Sequence, residues 1–305
     1  MFLPDGSSVA AMPTPDPDLV RALLAEQFPE WAGRDIAAPF EGADMAVFRL
    51  GADLAVRLPR HHGSVGSLQA EIRWMGRLAQ RWSFPTQRIV AVGRPGAGFP
   101  WCWAVTSWLP GELAADRPLD AAAAPALGRA LAEIHQPAPA DAPWNSEQSV
   151  GLTAREPTLR QALDRLDGHV DRDAAAALWL AATAVPDDGP RVWIHADLHP
   201  FNVISRGGAF GGIIDWSDIA SGDPAVDLGF AHLLLPAAAM PAMFDGYGGA
   251  DPATVARARA IALVKAAALA TLRKPVAAAI GRRCLIELGV ARSCSTARSL
   301  PEMPP

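Results

Sequence analysis

The sequence predicts an α+β fold, with a small antiparallel β-sheet lobe plus one helix over residues 1–108 and a larger, mainly helical lobe over 109–305. Three observations carry this. Before residue 110, short apolar runs alternate with Gly, Asp and Pro turns, the pattern of an antiparallel meander. From Leu119 onward the chain is alanine-rich, with apolar residues at helical spacing. Between the helical stretches, Val192-Trp193-Ile194 and Gly212-Ile213-Ile214 read as strands, each delivering polar and acidic residues at its C-terminal end.

Taken in order, residues 1–17 hold four prolines with Gly and Ser and read as a loose arm. Asp18 to Phe28 has helical apolar spacing and an Asp start. Strand-like runs follow at Ile36–Phe40, Ala46–Leu50 and Leu54–Leu58, broken by Glu41-Gly42-Ala43-Asp44 and Gly51-Ala52-Asp53. Ser67 to Arg81 carries a stripe of Leu68, Ile72, Met75 and Leu78 and predicts a helix, with Glu71 its only acid. Arg88–Val92 and Trp101–Leu109 complete a five-strand count, and Ser107-Trp108-Leu109-Pro110-Gly111-Glu112 reads as a turn after a buried strand. Helices are predicted over Leu119–His135, Glu156–Leu166, Arg172–Ala184, Ala225–Leu235, Ala238–Tyr247, Pro252–Leu272 and Val276 to about Leu288. Residues 138–155 form a long loop, Asp187-Asp188-Gly189-Pro190 a turn, and the chain from Arg292 reads as frayed.

Composition narrows the function. Half the 305 residues are hydrophobic and 19% are charged, so the chain is globular and long enough for real cores. A net charge of -5 argues against non-specific nucleic-acid binding. Cys102, Cys284 and Cys294 show neither disulfide nor metal spacing, which fits a reducing compartment. The N-terminus has no basic region before an apolar core, and no window offers twenty apolar residues free of charge. A cytoplasmic protein with no membrane partner is expected, as a monomer or homodimer.

The stretch from Val192 to Leu228 holds the chemistry. His195, Asp197, His199 and Asn202 follow the first strand, and Asp215 follows the second. Asn and Asp oxygens suit magnesium, and Asp197, five residues before Asn202, is placed to accept a proton from an attacking hydroxyl. A base, two metal-holding side chains and little covalent machinery are what phosphoryl transfer needs. A rival is a metal hydrolase, because His195, Asp197 and His199 alternate like ligands. Zinc wants three or four such groups, and the next histidine, His232, lies inside an apolar helix. In Gly222-Asp223-Pro224, Asp223 reads as a helix N-cap, and Asp227, one turn on, as a structural brace for the catalytic loop.

His195-Ala-Asp197-Leu-His-Pro-Phe-Asn202, then Ile214-Asp215-Trp216, then Gly222-Asp223-Pro224-Ala-Val-Asp227-Leu228, resembles the aminoglycoside/macrolide phosphotransferase family, which has the protein-kinase-like fold. The resemblance implies an ATP- or GTP-dependent phosphotransferase acting on a hydroxyl of a small molecule, with an aminoglycoside or macrolide antibiotic as acceptor. Choline, homoserine or a sugar is the alternative, and a catalytically inactive nucleotide-binding protein is a further one. The resemblance makes Asp197 the base and Asn202 and Asp215 the magnesium ligands. It places the turn at Gly42 over the nucleotide phosphates and the backbone near Ser107 and Leu109 against the base. It asks for a phosphate-binding cation on the third strand, steadied by a Glu on the following helix. The only lysines are Lys265 and Lys274, so Arg57 takes that position and Glu71 is its partner. Arginine keeps its charge and grips phosphate with a fork. Ile-Asp-Trp in place of Asp-Phe-Gly, with no Ala-Pro-Glu segment, speaks against a protein kinase.

Charge in the helical lobe is uneven. Residues 112–190 hold 13 acids against 6 bases, which suits a polycationic acceptor, whereas 231–305 hold 4 acids against 9 bases. Leu233 to Leu235 and Met240 to Phe244 would suit a more apolar acceptor, or a plain core.

Overall fold

The computed structural model describes residues 14–42, 44–186 and 189–292. The arm before Thr14, the chain after Arg292 and the acidic pair Asp187-Asp188, all read from sequence above, lie outside the described residues. The chain folds into two compact units, 1–111 with 211–219, and 112–210 with 220–305. The segment Gly211–Ile219, which carries Asp215, thus belongs with the N-terminal part of the chain.

The first unit opens with α1 (Pro17–Gln27). Its cap is Asp16, whose Oδ1 accepts the Leu19 N–H at 2.8 Å, and Pro17 takes the first helical position. The cap lies two residues before the Asp18 expected, because Pro at the first position costs no hydrogen bond. The predicted strand Ile36–Phe40 is reduced to a single bridge from Ile36 to Leu50 and the two-residue β1 (Phe40–Glu41). β2 (Met45–Leu50) and β3 (Leu54–Pro59) follow, then α2 (His62–Leu78), β4 (Ile89–Gly93) and β5 (Trp103–Ser107). Helix α2 begins five residues before the Ser67 expected. Gly63 and Gly66 are poor helix formers, yet they are carried by the turns that follow them.

The strands form one sheet in the order β1-β2-β3-β5-β4, with antiparallel neighbours. Central β3 is buried along its whole length. One face of the sheet packs Phe48, Leu50, Val56, Leu58, Trp103 and Val105 against Leu19, Val20, Leu23 and Leu24 of α1. On the other face Leu68 of α2 meets Met45 and Ala104. That leaves Arg57 a charged residue in a buried strand, a position it can hold only with partners.

The second unit contains β6 (Glu112–Leu113), α3 (Ala124–Ile134), α4 (Glu156–Arg165), α5 (Arg172–Thr183), β7 (Val192–Ile194) and β8 (Val203–Arg206). β9 (Ala209–Ile213) leads the chain into its Gly211–Ile219 segment. β10 (Ala220–Gly222), α6 (Ala225–Leu234), α7 (Met240–Tyr247), α8 (Pro252–Ala270) and α9 (Pro275–Glu287) complete it. β7 pairs antiparallel with β10, and β6 with β8. β6, β8 and β10 were not expected; at two to four residues they are too short to show alternation.

Helix α3 packs closely on α7 because Gly128 offers no side chain: a Cβ there would lie 2.1 Å from the Met243 carbonyl oxygen. Before α6 the expected cap is shifted by one residue: Pro224, not Asp223, is the N-cap, and Asp223 Oδ1 instead accepts the Ala225 N–H from one position further out. Arg257 of α8 holds the same carboxylate at 2.7 Å. No helix among the described residues is long and apolar enough to cross a membrane.

Candidate active site

In the first unit, β3 delivers Arg57 into the space between α2 and the turn after β9. Its Nη1 donates to Glu71 Oε1 at 2.5 Å and its Nη2 to Asp215 Oδ1 at 2.7 Å. Arg57 and Glu71 are almost fully buried, whereas the Asp215 side chain is 41% exposed. Burial opposes the charge on Arg57, but the carboxylates of Glu71 and Asp215 outweigh it and hold the guanidinium above its ordinary pKa. Arg57 therefore stays cationic, and its fork fixes two carboxylates at once.

Asp215 has φ 59°, in the left-handed region that non-glycine residues seldom occupy. Ser217 Oγ donates to its Oδ1 at 2.9 Å. Gln87, which no pattern in the sequence singles out, joins this group. Its Nε2 donates to Glu71 Oε1 at 2.6 Å and its Oε1 accepts the Asp215 N–H at 3.1 Å. Its only local signal is a polar Thr86-Gln87 pair ahead of the apolar run Ile89–Val92.

In the second unit, β7 ends at Ile194 and the chain enters a strained loop, with Ala196 at φ 72°. The loop is braced by Asp227 of α6. Asp227 Oδ2 accepts the His195 N–H at 2.6 Å and Oδ1 the Ala196 N–H at 2.9 Å. His135, just past α3, sits 3.2 Å from Asp227 Oδ2 through Nε2 and 2.9 Å from the Tyr247 hydroxyl through Nδ1. Burial opposes the Asp227 charge, but His135 and His195 outweigh it and hold this carboxyl below the ordinary range. Burial also pushes the Tyr247 hydroxyl up to about 12, so it stays neutral.

Asp197 is half-buried. Its N–H donates to His195 Nδ1 at 3.2 Å, which leaves the His195 proton on Nε2. Its Oδ2 accepts Asn202 Nδ2 at 3.2 Å and lies 3.3 Å from His199 Nε2. Asn202 Nδ2 also donates to the Asp197 carbonyl at 2.9 Å. The loop thus fixes the Asp197 carboxylate from one side, while among the described residues Oδ1 has no hydrogen bond. His195 is fully buried and serves as an anchor of this loop.

The other expected positions are less distinctive. Gly42 is exposed in the β1–β2 turn with an ordinary φ, and a Cβ there would meet the Met45 carbonyl at 3.1 Å. The Ser107 N–H is already spent on the Arg88 carbonyl at 2.9 Å, and the Trp108 N–H on Asp53. Leu109 is buried ahead of Pro110.

Magnesium suits the donors present. Asn202 spends its amide nitrogen on Asp197, which leaves its oxygen for a hard cation, and Asp215 is a partly exposed carboxylate. A zinc site would need more: among the described residues no group of three or more His, Cys, Asp or Glu is placed to hold a metal ion.

Comparison with known proteins agrees on the class. The model of the phosphotransferase enzyme family (APH) matches residues 35–261. A homoserine kinase of Gluconacetobacter diazotrophicus is 30% identical over 261 residues, 78% of each chain. A homoserine kinase of Beijerinckia indica subsp. indica is 37% identical over 100 residues, 32% of this chain and 31% of that one. Among solved structures, the GDP and kanamycin complex of APH(2")-IIia superposes with a TM-score of 0.64 at 17% identity, covering 88% of this chain and 97% of the other. The macrolide 2'-phosphotransferase of Brachybacterium faecium gives 0.55 at 21%, covering 88% and 98%. At these identities the structural likeness is one of fold, and that fold is protein-kinase-like. The chain belongs to the phosphotransferase enzyme family and is a small-molecule hydroxyl kinase.

Proposed function

We propose that the protein transfers a phosphoryl group from magnesium-bound ATP to the hydroxyl of a small amino-acid-like metabolite, with homoserine the first acceptor to test. The chemistry rests on one observation above all: Asp197 has one oxygen fixed by Asn202 and His199 and the other without a hydrogen bond among the described residues. That oxygen takes the acceptor proton as the phosphoryl group passes to the acceptor oxygen. Such transition states are loose, so Asp197 orients the hydroxyl early and takes the proton late. Asn202 and Asp215 would hold magnesium, which would supply neutralising charge to the nucleotide phosphates. Arg57, steadied by Glu71, adds a fixed cation. Gly42 lies on the turn assigned to the phosphates, and the backbone near Ser107 and Leu109 is assigned to the base, adenine or guanine.

Two facts favour homoserine over an antibiotic. The curated relatives found by sequence are homoserine kinases, one of them matched over most of both chains. The base-rich segment 231–305 suits an acceptor that carries a carboxylate. The acid-rich segment 112–190 favours a second reading, a polycationic aminoglycoside. A coupled ADP-release assay with ATP and GTP, run against homoserine, choline, sugars, aminoglycosides and macrolides, separates them. Homoserine should exceed every other acceptor in kcat/KM by at least about tenfold, the scale set by one good polar contact. Faster turnover of an aminoglycoside gives the second reading, and no turnover of any acceptor points to an inactive nucleotide-binding protein.

A further inference from the structure

We propose that Gln87 is a positioning residue that holds Asp215 in its left-handed conformation and thereby sets how much magnesium the enzyme needs to grip its nucleotide. The inference rests on the reading of Asp215 as a metal ligand.

A non-glycine residue at φ 59° is strained and persists where its surroundings hold it there. Here the determinants come from three successive residues, Pro85, Thr86 and Gln87. The Pro85 carbonyl accepts the Ile213 N–H at 3.1 Å. Thr86 Oγ1 donates to the Ile213 carbonyl at 2.8 Å and accepts Trp216 Nε1 at 2.8 Å. Gln87 Oε1 accepts the Asp215 N–H at 3.1 Å. The backbone before Asp215, its own N–H and the side chain after it are all tied to one tripeptide. Trp216 is fully buried and stacks on Trp82 with ring centres 4.5 Å apart, so the far side of the turn cannot swing.

Gln87 does more than hold backbone. Its amide nitrogen donates to Glu71 Oε1, the same oxygen that takes Arg57 Nη1. Arg57 Nη2 closes the circuit on Asp215 Oδ1. Arg57, Glu71, Gln87 and Asp215 therefore form a closed ring of hydrogen bonds. The orientation of the Gln87 amide follows from the ring. A flip would set its NH2 against the Asp215 N–H and its oxygen against a carboxylate. Only a residue with a donor at one end and an acceptor at the other can link Glu71 to the Asp215 backbone. A fixed carboxylate binds a cation without first losing conformational freedom, and releasing that constraint should weaken metal binding.

The test uses the full chain and measures nucleotide affinity as magnesium is titrated. Gln87→Ala and Gln87→Met are made, the second keeping the shape without either hydrogen bond. Each should raise the magnesium concentration for half-maximal nucleotide affinity by roughly tenfold, the scale of losing one or two such bonds. Affinity in excess chelator and the KM of the acceptor should stay within about twofold, a split that general loosening of the fold would not give. Asp215→Asn tolerates the left-handed backbone and should raise magnesium demand by itself. Adding Gln87→Ala to it should then change little, because the two act through one ligand. Unchanged magnesium demand in both Gln87 variants overturns the inference, as does the same tenfold loss in the Asp215→Asn background. Loss of folding in both overturns it too, since Gln87 would then be structural. If Asp215→Asn leaves magnesium demand untouched, the metal reading of Asp215 itself is wrong, and the inference falls with it.

Discussion

Arg57 and Asp215 are 158 positions apart in the chain, and their side chains meet at 2.7 Å. Glu71 grips the other arm of the same guanidinium. One strand arginine thus fixes a helix carboxylate and a turn carboxylate together through two separate nitrogens set in a rigid plane, where a lysine would have to share one freely rotating ammonium.

The first prediction follows from that geometry. Arg57→Ala leaves Glu71 buried without its cation, a change that costs about 3–5 kcal/mol for a broken buried pair. Urea unfolding should show a loss of this size, and the nucleotide KM should rise. Arg57→Lys should recover part of both, since charge returns without the fork. Glu71→Ala should be milder for nucleotide binding, because Arg57 keeps Asp215. An Arg57→Ala protein with wild-type stability and nucleotide affinity would exclude the role given to this arginine.

The second concerns Asp197. Asp197→Asn keeps the size of the side chain and removes the base, so kcat should fall by about 10²- to 10⁴-fold. Nucleotide affinity should hold within about twofold, because a base acts on the acceptor. His199→Ala removes a neighbour of Oδ2 and should cost about tenfold or less, the worth of one ordinary hydrogen bond. Steady-state kinetics and nucleotide titration on the same samples decide it: turnover near wild type in Asp197→Asn ends the mechanism.

How much of this was readable from residues alone depends on range. Elements with a period, such as β2, β3, α2 and the helices of the second unit, could be located because burial imposes spacing on their own sequence. Ile36–Phe40 misled for the opposite reason: its apolar content looks like a strand, but only Ile36 and Phe40 find bridge partners. Asp197, Asn202 and Asp215 stand in compact local patterns next to strand ends, so they could be picked out. Thr86 and Gln87 could not, because their partners Ile213 and Asp215 lie 127 and 128 positions away. The spacing after Gly222-Asp223-Pro224 made Asp227 legible as a structural brace for the loop, and the structure gives it that place. Its contacts with His135 and the His195 and Ala196 N–H groups needed the fold.

That brace supplies the third prediction. Asp227→Ala strands two buried N–H groups and His135, so stability should fall by about 3 kcal/mol or more. The pH sign is fixed by the lowered carboxyl. A carboxyl depressed in the folded state stabilises the fold above its unfolded pKa and loses that contribution as pH falls through the folded value. In the wild-type protein this part of the acid limb therefore lies below about pH 4. Asp227→Asn should be less stable near neutrality and show a shallower acid limb, read from unfolding free energies between about pH 3 and 7. Parallel curves for the two proteins would mean that Asp227 does not titrate with unfolding.

The last prediction concerns His232, which lies in α6 and has a buried Nε2 with no partner among the described residues. Burial, with Arg259 and Arg283 nearby, pushes its pKa from 6.5 down to about 4. In the unfolded chain the imidazole gains its proton near pH 6.5, while in the folded chain it stays neutral until about pH 4. Between these values the unfolded state binds more protons, so stability must rise with pH across that window. The full shift corresponds to about 3 kcal/mol, reached only once pH has fallen to the lower value. His232→Leu keeps an apolar side chain in the same helix and cannot titrate. It should match the wild type above about pH 7, exceed it increasingly as pH falls from 6.5 to about 4, and flatten the slope there. Unfolding free energies of both proteins at half-unit steps from about pH 4 to 7.5 measure the difference. If the wild-type slope survives intact in His232→Leu, the imidazole is protonated inside the fold, and Arg259 and Arg283 are too well solvated to oppose it.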